Sequence, residues 1–136
     1  MNVQVVAAIV LSVFLVVGKV RQGDIQKQMF TESCKVRKQN GLQMQILDKQ
    51  LCEQADKWAQ RMASTGNFRH GGGEQIIARG YSSPKSAISA WMRSPGHRNW
   101  ILCRKSHVGF GFARSKNGHP YYVGIYRNKN MTKNQK

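Results

Sequence analysis

The sequence predicts an α+β domain in which helices come first and an antiparallel hairpin closes the fold. Three observations carry this: apolar residues recur at helical spacing through residues 48–63, a further helix opens at Ser83-Pro84, and from Val108 the period drops to two. Helices followed by strands belong to α+β architectures rather than to alternating βαβ units. At 136 residues the chain has room for one core, since domains typically run about 100 to 150 residues, and no internal repeat divides it.

Residues 1–18 carry no charged side chain and are apolar almost throughout. The run is shorter than the roughly 20 residues a membrane-spanning helix needs, and Val16-Val17-Gly18 offers side chains small enough for cleavage after Gly18. A signal peptide is therefore expected, and with it a secreted or cell-envelope location. An uncleaved N-terminal anchor is the alternative, because no Lys or Arg precedes the run while Lys19 and Arg21 follow it. Residues 19–25 are polar and read as a linker, 26–127 as the domain, and 128–136 as a basic tail.

In the first helix Met29, Phe30, Ser33 or Cys34, Val36 and Arg37 form an imperfect stripe that ends near Asn40-Gly41, where Gly suits a left-handed cap. The second helix is capped by Asp48, turns Leu51, Cys52, Ala55, Trp58, Ala59, Met62 and Ala63 inward, and ends at Gly66. Trp58 lies at the centre of that stripe and is expected to be buried, so that truncation to Ala costs roughly 3 to 5 kcal/mol. Residues 67–73 form a loop and 75–78 a short strand. Ser83 then caps a third helix with Pro84 at its first position; Ala87, Ile88, Trp91 and Met92 face inward. Ser94-Pro95-Gly96 breaks it, and residues 97–102 add a turn or two.

The final third alternates Val108, Phe110 and Phe112 with Gly109, Gly111 and Ala113, and residues 122–126 are aromatic and β-branched. Asn117-Gly118 marks the turn between these strands, lengthened by His119-Pro120. The small faces at Gly109 and Gly111 leave room for a helix to pack close. His107 and His119, at a strand start and in a turn, read as surface residues, and the nearby aromatics as core or rim.

The formal net charge of +16 falls wholly on the residues after Gly18, and unevenly. All six acids lie at or before Glu74, whereas the residues beyond it hold twelve Lys and Arg and no acid. Such a field attracts anionic polymer, anionic lipid or nucleic acid, and export disfavours the last. Cys34, Cys52 and Cys103 permit one disulfide and leave an odd thiol, and no two stand at zinc-motif spacing.

Leu42, Asp48 and Leu51, then Ala55, Trp58-Ala59, Met62-Ala63, Phe68-Arg69-His70, Gly73-Glu74, Trp91, Ser94-Pro95-Gly96-His97-Arg98 and Val108-Gly109-Phe110-Gly111 follow one another in this order. Over about residues 26–127 the chain thereby resembles the bacterial type of the CAP superfamily, which includes sperm-coating, antigen-five and plant pathogenesis-related proteins. The string from Trp91 to Leu102 looks like the signature around the family's second site histidine. The resemblance implies an α-β-α sandwich, with a small antiparallel sheet between helical layers and a cleft holding two histidines and acidic residues. By motif, His70 is the first histidine, Glu74 the glutamate and His97 the second histidine. Ser94 falls where eukaryotic members carry a second acid, Gln75 where the family has Asn, and Cys34 where many members have Asn. The eukaryotic disulfide set is missing.

His70, Glu74, Ser94 and His97 thus form the expected ligand cleft. Two imidazoles and a carboxylate are also the ligand count of a hydrolytic zinc site, so His70, His97 and Glu74 could hold zinc or another divalent cation weakly, or do acid-base work without one. The same three could simply be a hydrogen-bonded network that stiffens loops. No Ser or Cys sits in a nucleophile motif. The reading carried forward is a binding module for an anionic or amphipathic partner, a lipid, sterol or cell-wall polymer, with no cofactor required. A metal-assisted hydrolase or peptidase is its rival, and nucleic-acid binding a third reading motivated by charge alone.

Overall fold

The computed structural model describes residues 21–128. The expected signal peptide or anchor, residues 1–18, lies outside the described residues, as does nearly all of the expected basic tail. The order of elements is α1 Gln22–Gln39, β1 Ile46–Leu47, α2 Lys49–Thr65, β2 Gln75–Arg79, α3 Pro84–Arg93, α4 Pro95–Ile101, β3 His107–Arg114 and β4 Pro120–Arg127. Among the described residues no helix is long and apolar enough to cross a membrane.

The α+β class and the layered sandwich follow from how two faces of one sheet are covered. Strands run in the order β1-β3-β4-β2. β3 and β4 form the hairpin, with Phe110 opposite Gly124 and Phe112 opposite Tyr122, and β2 adds antiparallel to β4. On one face Met29 of α1, Ile88 and Trp91 of α3 and Ile101 of α4 pack with Val108, Phe110, Tyr122 and Tyr126. On the other, Ala55, Ala59 and Met62 of α2 pack with Ile77, Tyr121 and Val123. Period two sorts β3 cleanly: its large residues face α1 and α3, and its glycines face α2. A Cβ on Gly109 would stand 2.2 Å from the backbone carbon of Leu51, and one on Gly111 2.1 Å from that of Ala55, so α2 rests directly on the strand.

The caps act where local chemistry puts them. Asp48 accepts a hydrogen bond from the Leu51 amide, and Gly66 closes α2 in the left-handed region at φ 69°. Ser83 and Ser86 form a reciprocal capping box at the start of α3.

Four expectations are corrected. The sheet is mixed rather than purely antiparallel, because β1 pairs parallel to β3 through Ile46 with His107 and Leu47 with Val108; two residues are too few to show any period. α1 begins at Gln22, inside the segment expected to be a linker. Its first turn is polar because Gln22 and Gln26 donate side-chain hydrogen bonds to the Asp56 carboxylate of α2, and the Phe112 amide donates to the same group.

Trp58 is half-buried rather than buried. Ala55, Ala59 and Met62 fill the seam against the sheet, and the indole lies to one side, beneath the loop after α2. There its Nε1 donates to the Arg69 carbonyl at 3.0 Å and Gly71 presses on its ring, so the cost of a fully buried Trp does not apply. His107 is buried, with its Nδ1 2.7 Å from the Ser106 hydroxyl, because β1 and β4 flank it on either side. Cys34, Cys52 and Cys103 are all free thiols.

Candidate functional site

The expected site residues arrive on two segments that the fold brings to the β2 edge of the sheet. His70 belongs to the loop after α2. Gly66 turns the chain out of the helix, and Gly72 and Gly73, at φ 103° and 79°, bend it back into β2 in conformations that L side chains rarely adopt. Two ties fix the loop between these glycines: Trp58 to the Arg69 carbonyl, and the Gly71 amide, which donates to Gln75 Oε1 at 2.8 Å. Gln75 is itself buried. His70 between them is exposed.

His97 arrives through the break between two helices. Ser94 is both the last cap of α3 and the first cap of α4, in extended conformation at φ −105° and ψ 116°, because the following Pro95 excludes the helical region at this position. That geometry sets the Ser94 hydroxyl 2.9 Å from His97 Nδ1 and leaves Nε2 as the ring nitrogen available to a ligand. Burial, first, and the nearby charge of His70, second, hold the His97 imidazole below its ordinary pKa. The two histidines are therefore within electrostatic reach of each other.

Glu74 takes a different partner. Its Oε1 accepts from Lys105 Nζ at 2.8 Å at the start of β2, where its carbonyl accepts from the Tyr126 amide. Among the described residues no three His, Cys, Asp or Glu side chains are gathered around a point that one ion could occupy. His70, His97 and Glu74 do not fit a three-ligand zinc site as they stand.

What His97 and Ser94 do line is a cleft of about 320 Å³ with Phe68, Arg79, Tyr81 and Trp91. Phe68 is 41% exposed, and the Arg79 guanidinium lies 5.2 Å from its ring centroid. Trp91 is buried, with its indole N–H given to the Ile77 carbonyl at 3.0 Å, so it forms a fixed wall. The Tyr81 carbonyl is held by the Tyr122 hydroxyl at 2.8 Å. One cation and one imidazole thus stand beside an aromatic surface, the mixture of few polar groups and much apolar lining that small-molecule clefts use. Ser94 and Gln75, two of the three positions that depart from the family pattern, orient His97 and staple the His70 loop. Sequence reading misses Arg79 and Lys105, since neither has a local signal for its partner.

The pair of histidines gives a direct test. His97 should titrate below the usual value of about 6.5, and His70→Ala should raise its pKa without fully restoring it, because burial is the larger cause. Ring-proton NMR across pH reads both. A group whose folded pKa is depressed contributes stability that is present above the unfolded value and lost as pH falls through the folded one, so acidification should weaken the fold through His97. A His97 pKa unmoved by His70→Ala would show that the rings do not sense one another.

A family model, the cysteine-rich secretory protein family or CAP, matches residues 34–126. No curated protein matches significantly. Among solved structures, an outer surface protein from Borrelia burgdorferi is similar at TM-score 0.68 and 17% identity, over 80% of this chain and 98% of that one. An extracellular protein containing a SCP domain from Bacillus anthracis gives TM-score 0.65 and 18% identity, over 78% of this chain and 41% of that one. Venom allergen-like protein 4 of Schistosoma mansoni gives 0.59 and 15%, over 75% and 87%. At these identities the likeness is one of fold.

Proposed function

This chain belongs to the cysteine-rich secretory protein (CAP) family, and from that premise we propose that it is an extracellular or envelope-associated binding module whose cleft takes an amphipathic ligand with an anionic head. The observation that carries this reading is the pairing of Arg79 and His97 with Phe68, Tyr81 and Trp91 around one cleft. Arg79 offers a planar, permanently charged donor set to a carboxylate or phosphate, His97 Nε2 adds a further polar contact, and the rings cover the apolar body. Two structural relatives described as outer-surface and extracellular proteins support the location, as does the apolar stretch at residues 1–18.

The hydrolase alternative lacks a gathered ligand set, although two neighbouring imidazoles retain acid-base capacity. A fluorescent fatty acid, with a carboxylate head and an apolar tail, tests the binding reading. Arg79→Gln should weaken binding by between about tenfold and a hundredfold, in line with the roughly 1.5–3 kcal/mol of a hydrogen bond to a charged group, whereas Arg98→Gln on the exposed side of α4 should change it little. Equal binding by wild type and Arg79→Gln would remove the cleft as the site.

A further inference from the structure

We propose that the cleft beside His97 selects its ligand by length, a limit that rests on that cleft being the binding site. It takes an anionic amphiphile with one unbranched chain of about ten carbons, and Ala90 sets how long the chain can be. The cleft holds about 320 Å³. A water molecule occupies about 30 Å³ in the liquid and a methylene group much the same, so roughly ten such groups fill the space. A sterol, with four fused rings, or a lipid with two chains needs more room than that.

Polar and apolar residues are sorted by depth. Arg79 is exposed and His97 partly so, whereas Ile77, Ala78 and Trp91 are buried. An anionic head therefore stays at the mouth with Arg79 and the His97 ring, and the chain is the part that enters.

The walls cannot spread for a longer chain. The Trp91 indole N–H reaches from α3 to the Ile77 carbonyl of β2 at 3.0 Å, and parting helix from strand would leave both groups buried and unpaired. The turn beyond β2 is tied twice, by the Gly80 amide to the Pro120 carbonyl at 2.9 Å and by the Tyr122 hydroxyl to the Tyr81 carbonyl at 2.8 Å. Between fixed walls, the space is decided by how small the lining side chains are.

Ala78 and Ala90 are the small ones. Ala78 belongs to the core beneath α3, so folding already demands its size. Ala90 lies on α3 outside the buried stripe of Ala87, Ile88 and Trp91 and is partly exposed. A larger side chain there takes up cleft volume rather than core volume.

Displacement of a fluorescent fatty acid by straight-chain carboxylates, from hexanoate to tetradecanoate and below their micelle concentrations, reads the limit. Affinity should rise about fourfold per added methylene, the gain from burying one, until about decanoate, and by less than about twofold per methylene beyond it. Ala90→Leu adds three carbons to the wall and should bring the break forward by about three methylenes. Decanoate binding then falls about tenfold or more, while hexanoate binding changes less than about threefold. Leucine is a strong helix former, and Ala90→Val, which adds two carbons, carries the same comparison if urea unfolding shows Ala90→Leu to be destabilised. Deoxycholate, a steroid carboxylate, should bind more weakly than decanoate despite its larger apolar area. Affinity that climbs fourfold per methylene through tetradecanoate, or deoxycholate binding as tight as decanoate, would overturn the length limit and leave the cleft as the site wherever Arg79→Gln still weakens binding. Equal losses of hexanoate and decanoate in Ala90→Leu would overturn the role of Ala90. Decanoate binding that is absent, or unchanged by Arg79→Gln, would remove site and limit together.

Discussion

Gly111→Ala is expected to be among the most damaging single-methyl additions in this protein. Its Cβ would lie 2.1 Å from the Ala55 carbonyl carbon and 2.3 Å from the Asp56 amide nitrogen, and both are backbone atoms in the middle of α2. No rotamer change relieves the clash, so the helix must lift from the strand along the seam where Ala55, Ala59 and Met62 meet the sheet. Overpacking commonly costs about 1–3 kcal/mol, and a contact this short against rigid backbone should reach or exceed the top of that range. Urea unfolding checks it, with Gly96→Ala as the control. Gly96 lies in α4 with nothing within 4 Å of its would-be Cβ, so Ala there should be neutral or stabilising, by up to about 1 kcal/mol. A Gly111→Ala midpoint matching the control would mean that α2 does not sit on β3 as described.

Arg37→Met should have the other large effect. Arg37 is only 4% exposed, and its charge meets backbone carbonyls instead of a carboxylate: Nε donates to Gln43, and Nη1 to Ile101 and to Cys103 at 2.7 Å. One side chain thereby binds the end of α1 to the end of α4 and to the segment leading into β3. Met fills similar volume but leaves three carbonyls without that donor, each buried acceptor costing about 1–3 kcal/mol, so a loss of roughly 3 kcal/mol or more is expected in urea. Arg37→Lys should recover little, because a single ammonium cannot span acceptors on three segments. An unchanged midpoint for Arg37→Met would show that water replaces the guanidinium without cost.

The parts of the molecule legible in the sequence are those whose signal is local. α2 announces itself through its apolar period, the Asp48 cap and Gly66. Gly109 and Gly111 announce the helix seat, because glycine has little other reason to alternate with Val108, Phe110 and Phe112. The order of motifs points to the family and the layered fold. The site is legible as a set of residues but not as a geometry. His70, Ser94 and His97 lie along one edge, but the partner of Glu74 is Lys105, 31 positions away, and no local pattern encodes a pairing over that distance. β1 escapes notice because two residues have no period, and His107 because its burial depends on strands contributed from far along the chain.

The way the sheet ends also governs how this protein can meet copies of itself. An open sheet invites strand addition wherever a long run of unpaired backbone is exposed. Here β1, one terminal strand, is two residues long, too short to template a partner. The other terminal strand, β2, has the carbonyl at its midpoint taken by the Trp91 indole, and Arg79 places a charge at its end. Both edges at which copies of this sheet could join are thereby obstructed by features that the fold already requires.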